Sequence, residues 1–206
     1  LQSFPVTCLN RDDLGSPKSA VFGGANRARL SSQSLKRAIR ETATDLNPES
    51  FKGERTRLII ERIIEQLKES GIDEKQAADA AKAVGDALAT FDKKAEKEGK
   101  LRVKTLMFLS PAEIKAISDA VAAGIGDGKK DKELVKEATK AIKSVSLKDA
   151  ADIALFGRFV ASEGSLTVEG AGLFSHALST HKADNEVDFF SAVDDGSGID
   201  TANSYI

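Results

Sequence analysis

The chain has 206 residues, enough for one sizeable core or a core plus an appendage. With 41% hydrophobic residues, 30% charged residues and a net charge of -2, its balance is that of a globular protein and excludes an intrinsically disordered one. The single Cys8 excludes an internal disulfide framework, no apolar run nears the roughly 20 residues that span a bilayer, and no basic-then-apolar leader opens the chain; a cytoplasmic protein is expected.

Leu1–Phe4 reads as the tail of a strand and the last residues are Tyr205-Ile206, so a larger domain is expected to continue past both ends. The run from Cys8 to Arg40, CLNRDDLGSPKSAVFGGANRARLSSQSLKRAIR, is the most distinctive in the chain. Between its first and last arginines it sets Arg11, Lys18, Arg27, Arg29, Lys36, Arg37 and Arg40 against only Asp12 and Asp13. It is a basic patch on a mildly acidic protein. Val21-Phe22 and Ala28–Leu30 predict short extended pieces around a Gly23-Gly24 turn. Leu35, Ala38 and Ile39 then take helical spacing, with Ser31 or Ser32 as N-cap.

Residues 50–148 predict a helical domain. Ile59, Ile60, Ile63, Ile64 and Leu67 form one apolar stripe that Gly71 ends. Asp73–Leu88 predicts an Ala-rich helix, and Leu101–Leu109 a strand-like run. Ser110-Pro111-Ala112-Glu113 joins an N-cap serine, a first-turn proline and a glutamate three residues after the cap, which marks a helix start. Gly124, Gly126 and Gly128 predict a flexible break before an amphipathic helix over Asp131–Val145. In residues 149–206 helix is sparser. Asp152–Val160 is apolar, Gly164, Gly170 and Gly172 punctuate a hairpin or loop, Leu173–Leu178 predicts a short helix, and Asp194–Gly198 a turn or linker.

The basic run has the chemistry of a polyanion clamp. Arg27 and Arg29 are two apart, so in a strand they share a face. Lys36 and Arg40 are four apart, so on a helix they do too. Ser31, Ser32 and Gln33 lie where the orphan N–H groups of a helix start could meet an anion, and Gly23-Gly24 would admit a phosphate or a neighbouring backbone closely. Contacts of this kind fix register without reading sequence. Asp12-Asp13 is an Asx-type turn, an ion pair with Arg11, or a metal or catalytic pair. His176 and His181 are five apart, which turns them off a shared helical face. No Cys or acidic cluster completes a metal-ligand set around them, and no nucleotide-binding or nucleophile-elbow motif is present.

CLNRDD, AVFGG and RARLSSQSLKRAIR resemble the start of the backbone subunit of the type I-E CRISPR Cascade complex, the CasC family. FLSPAEIKAI at Phe108–Ile117, DIALFGRFVAS at Asp152–Ser162 and HALSTHKADNEVDFFSAVDD at His176–Asp195 are similar to later stretches of that family. The resemblance implies an α+β fold, a modified RNA-recognition-motif-like (ferredoxin-like) palm with a large inserted helical domain and a thumb hairpin. The implied divisions are 1–49 for the first part of the palm, 50–148 for the insertion and 149–206 for the palm continuation and thumb. It implies a protein without enzymatic activity or cofactor that binds CRISPR RNA, polymerises head to tail with identical subunits beside other Cascade subunits, and presents the guide to target DNA. Arg11, Lys18, Lys36 and Arg40 match the family's RNA-contacting cations, with Arg27, Arg29, Ser31, Ser32, Gln33 and Arg37 in the same block; Arg158 and Phe159 fall in the thumb region, Phe159 on an apolar wedge. Ala25 departs from a basic residue of some relatives. Two alternatives stay open: a metal-dependent ribonuclease of the same broad fold using Asp12 or Asp13, and a protein-interaction domain with no RNA role.

Overall fold

The computed structural model describes residues 1–5, 7–184, 189–193 and 200–205, the last two segments as backbone only. In chain order the elements are β1 (Ser19–Phe22), β2 (Ala25–Leu30), α1 (Ser32–Leu46), β3 (Glu54–Thr56), α2 (Ile59–Glu69), α3 (Glu74–Ala89), α4 (Lys93–Glu96), β4 (Met107–Leu109), α5 (Pro111–Gly126), α6 (Asp131–Ser144), α7 (Ala151–Phe156), β5 (Ala177–Leu178), β6 (Phe189–Val193) and β7 (Asp200–Tyr205). The fold is therefore mixed α+β, with small antiparallel sheets among many helices. The chain divides into two compact units, Leu1–Ile39 with Phe174–Ile206, and Arg40–Leu173. Helix α1 is shared between them, its residues to Ile39 counting in the first and from Arg40 in the second.

In the first unit β1 and β2 form a hairpin closed at Phe22↔Ala25 by Gly23 and Gly24, with φ of 61° and 74°. A two-residue turn with both central φ positive matches the right-handed twist of the strands, and glycine enters that region without a Cβ penalty. β5 lies on the other edge of β2, pairing Arg29↔Leu178 and Leu30↔Ala177. The pairing extends as Ser179 N–H donates to the Ala28 carbonyl and Ala183 N–H to that of Asn26, each at 2.9 Å. Leu173–Leu178 is thus not the short helix its spacing predicts: residues 173–176 take no regular structure, and the open edge of β2 recruits Ala177 and Leu178 as a strand. β6 and β7 pair antiparallel. The turn expected at Asp194–Gly198 lies outside the described residues.

The second unit is built on α2, α3, α5 and α6. Ile60, Ile63 and Leu67 of α2, Ala77, Ala81, Val84 and Leu88 of α3, Ile117 and Val121 of α5, and Ala138 and Ile142 of α6 share one buried cluster. Each large aliphatic there contributes about 1.5–3 kcal/mol relative to exposure. Small residues set the close approaches: a Cβ on Gly85 of α3 would lie 2.5 Å from Ile60 Cγ1, and one on Gly124 of α5 2.5 Å from Leu134 Cδ2. The flexible break expected from Gly124 onward is accordingly shorter. Gly124 is buried inside α5, and the chain turns only at Asp127-Gly128, with Gly128 at φ 71°.

Asp73 caps α3, its carboxylate accepting from the N–H groups of Lys75 and Gln76. At α5 the capping box forms as its motif predicts. Ser110 Oγ accepts from Glu113 N–H at 3.1 Å, and Glu113 Oε2 accepts from Ser110 N–H at 2.9 Å. Of the strand-like run only Met107–Leu109 becomes β4, which pairs with β3 at Glu54↔Leu109, Arg55↔Phe108 and Thr56↔Met107. A second apolar cluster gathers Phe108, Ala150 and Ile153, with Leu147 and Val168 against them. The segment after α7 folds back as a bridge between Arg158 and Val168 around a single 3-10 turn at Gly164–Leu166.

Candidate nucleic-acid interface

In the first unit the basic residues are tied together by backbone. Asn10 O accepts from Lys18 N–H at 2.8 Å, Lys18 O from Arg29 N–H at 2.9 Å, and Asn10 Oδ1 from Ser31 N–H at 3.0 Å. Asn10 therefore joins the entry to β1, the end of β2 and the start of α1. The cation pattern did not single it out, because its bonds run to residues up to 21 positions away.

Asp12 holds the preceding loop. Its Oδ1 accepts from Leu14 and Ser16 N–H, both at 2.9 Å, and Arg11 Nη1 donates to Gly15 O at 2.6 Å. This is the geometry of an Asx-type turn at Asp12. Among the described residues no three metal-ligating side chains gather.

Alternation does put Arg27 and Arg29 on one face of β2, with different surroundings. Arg27 Nη1 donates to Ser179 O at 3.0 Å and Thr180 O at 2.7 Å, and its Nε to Phe22 O at 3.0 Å. It ties the hairpin to the strand exit. Arg29 is half-buried, and its Nε has no hydrogen-bond partner among the described residues.

The helix start differs from expectation. Ser31 is the N-cap, its Oγ accepting from Ser34 N–H at 3.3 Å, and Ser31 O accepts from Leu35 N–H. Ser32 N–H donates to His176 Nδ1 at 2.9 Å. The amides of Ser31 and Ser32 thus already have protein partners, which narrows the anion cradle expected over Ser31, Ser32 and Gln33. His176 acts instead as an acceptor from beside β5, outside any helix. Gln33 and Arg37 are exposed on α1, and Lys36 Nζ sits 5.5 Å from the centre of the Phe174 ring.

In the second unit Arg40 lies over the Phe108 ring at 5.6 Å. Close by, Asp152 is fully buried. Burial pushes its carboxyl above the usual range, opposed by N–H donation from Ile153 and Gly53 and by the charge of Arg40. Arg158 differs from the other cations of the predicted set in being buried. Its guanidinium is sealed inside, Nη1 bonding both carboxylate oxygens of Glu113 at 2.8 and 2.9 Å and Phe108 O at 3.1 Å, with Nε on Leu166 O at 2.9 Å. Phe159, the next residue, faces outward with 80% of its surface exposed.

A family model described as "CT1975-like protein" matches residues 1–204. A solved chain described as "CRISPR RNA-guided surveillance complex" superposes with a TM-score of 0.68 at 32% identity, over 88% of this chain and 57% of that one. A second, "CRISPR RNA-guided surveillance complex, pre-nicking", gives 0.71 at 33% identity, over 96% of this chain and 56% of that one. The chain thus spans little more than half the length of the solved chains it matches. No curated protein matches it.

Proposed function

The chain belongs to the CT1975-like protein family, and from that premise we propose that it is a CRISPR-RNA-binding backbone subunit of a Cascade-type surveillance complex. The observation that carries the proposal is the density of cations in one short run, since residues 11–40 hold seven of them against only Asp12 and Asp13. Among the described residues, Arg11, Lys18, Arg27, Arg29 and Lys36 of the first unit make no ion pair with a carboxylate. A cluster of cations on a protein of net charge -2 has a polyanion as its complement. A guide-binding protein must accept any spacer, so it holds sugar and phosphate and leaves sequence to base pairing.

The finer reading follows the same line. The palm is RNA-recognition-motif-like and of the type I-E CasC kind, and copies assemble head to tail with other Cascade subunits in the cytoplasm. Exposed Phe159 wedges beside an unstacked guide base while the rest pair with target DNA. No helix among the described residues is long and apolar enough to cross a membrane. The protein acts by holding RNA, without catalysis, and Asp12 serves its loop.

Equilibrium binding of single-stranded RNA against salt tests this. Lys18→Ala with Lys36→Ala is expected to weaken binding and to reduce the salt slope by about 0.7 per lost phosphate contact. Unchanged affinity and slope refute the clamp, and metal-dependent cleavage of bound RNA abolished by Asp13→Ala refutes the non-catalytic reading.

A further inference from the structure

The Phe108 ring holds two guanidinium groups. Arg55 stands directly opposite Phe108 in the β3–β4 ladder, and residues opposed in this way project to the same face with their Cβ atoms about 4.5–5.5 Å apart. The Arg55 guanidinium carbon lies 6.0 Å from the ring centre, and that of Arg40, arriving from α1, lies 5.6 Å from the same centre. The ring is a fixed platform: Phe108 is 7% exposed and packs on Ala150 and Ile153.

Like charges gathered on one ring repel, and little on the protein offsets them. Among the described residues neither arginine makes an ion pair. Glu54, the sequence neighbour of Arg55, projects to the opposite face of β3 and pairs with Arg62 at 3.1 Å. Asp152 is the acid that feels Arg40, and it is fully buried with its Oδ1 accepting from Ile153 N–H. Stacking on an aromatic ring leaves the N–H edge of a guanidinium open, and that edge matches phosphate oxygens in bidentate fashion. The stacked side chain has already lost much of its rotamer freedom, so binding costs it less entropy.

We propose that Arg55 is a further phosphodiester contact, acting with Arg40 from the Phe108 ring on the backbone of a single-stranded nucleic acid. Phe108 is the positioning residue of the pair. The inference rests on the RNA-binding reading above and extends it to a strand outside the basic run.

The test is binding of a labelled mixed-sequence RNA 30-mer to the full chain across a potassium chloride series, with Arg55→Gln, Phe108→Leu and Lys18→Ala beside the parent protein. Arg55 is exposed, so its variant is expected to fold. Arg55→Gln should weaken binding about tenfold, the scale of one charged hydrogen-bonding contact, and reduce the salt slope by about 0.7. Phe108→Leu should weaken binding severalfold with the slope kept, since both charges remain and only their placement is lost; a merely structural role would move the melting temperature and leave affinity below it alone. If Arg55→Gln binds like the parent while Lys18→Ala loses affinity and slope, the Arg55 assignment is overturned and the RNA-binding reading stands. If the parent shows no salt-dependent RNA binding, both are overturned.

Discussion

Arg158→Met separates a structural arginine from an RNA contact. The substitution keeps an unbranched apolar chain and deletes the charge at a site where the two partner side chains are 4% and 2% exposed. Glu113 then keeps one hydrogen bond, from Ser110 N–H at 2.9 Å, while its remaining charge faces a dry interior. Uncompensated burial of one member of such a pair costs about 3–5 kcal/mol. The carbonyls of Phe108 and Leu166 lose their arginine donors as well, though the losses share one network and do not simply add. A destabilisation of about 4 kcal/mol is expected, which for a chain of 206 residues lowers the melting temperature by roughly 8–16 °C. Urea and thermal unfolding followed by circular dichroism measure it, with RNA binding read well below the transition. Glu113→Gln with Arg158→Met should recover about 1–3 kcal/mol, because no charge is left stranded. A single variant as stable as the parent but weaker on RNA would refute the reasoning and place Arg158 at the interface.

Gly53→Ala should cost about 1–3 kcal/mol in urea unfolding, because a Cβ there would lie 2.5 Å from Asp152 Oδ2 and 2.6 Å from Phe108 Cε2; a parental midpoint contradicts that packing. Burial raises the Asp152 carboxyl above 3.8, so the fold favours its protonated form. Its stabilising contribution is complete below that value and is lost as pH rises through the raised one. Asp152→Asn, neutral throughout and still able to accept from Ile153 N–H, should gain stability relative to the parent as pH rises from acid toward neutral; a pH-independent difference refutes the assignment.

The features legible in the sequence were those decided within a few residues. Ser110, Pro111 and Glu113 announce the start of α5 because a capping box closes over three residues, and the α2 stripe is visible because helical periodicity is local. Gly23-Gly24 was readable as a turn; its tight two-residue geometry explains both glycines without a phosphate. What escaped depends on distant partners. The N–H of Ser32 is taken by His176, 144 residues away, so one amide of the apparent anion cradle is already occupied. Arg158 and Arg40 look alike as isolated cations. Only the fold sends one inward to Glu113, 45 residues distant, and lays the other on an aromatic ring. Arg55 carries no local signal, because what distinguishes it is the residue opposite in the ladder.

The first unit is discontinuous, which decides how the protein can be taken apart. Asn26 Nδ2 donates to Ala183 O, Arg27 to Ser179 O and Thr180 O, Ala28 N–H to Ser179 Oγ, and Ser32 N–H to His176. A peptide carrying the basic run alone keeps every one of its cations and loses all of these acceptors. Grafted onto another scaffold, that run would bring charge without the strand edge and helix start that aim it. Arg40–Leu173, continuous in sequence and with its own buried cluster, is the part suited to excision or exchange.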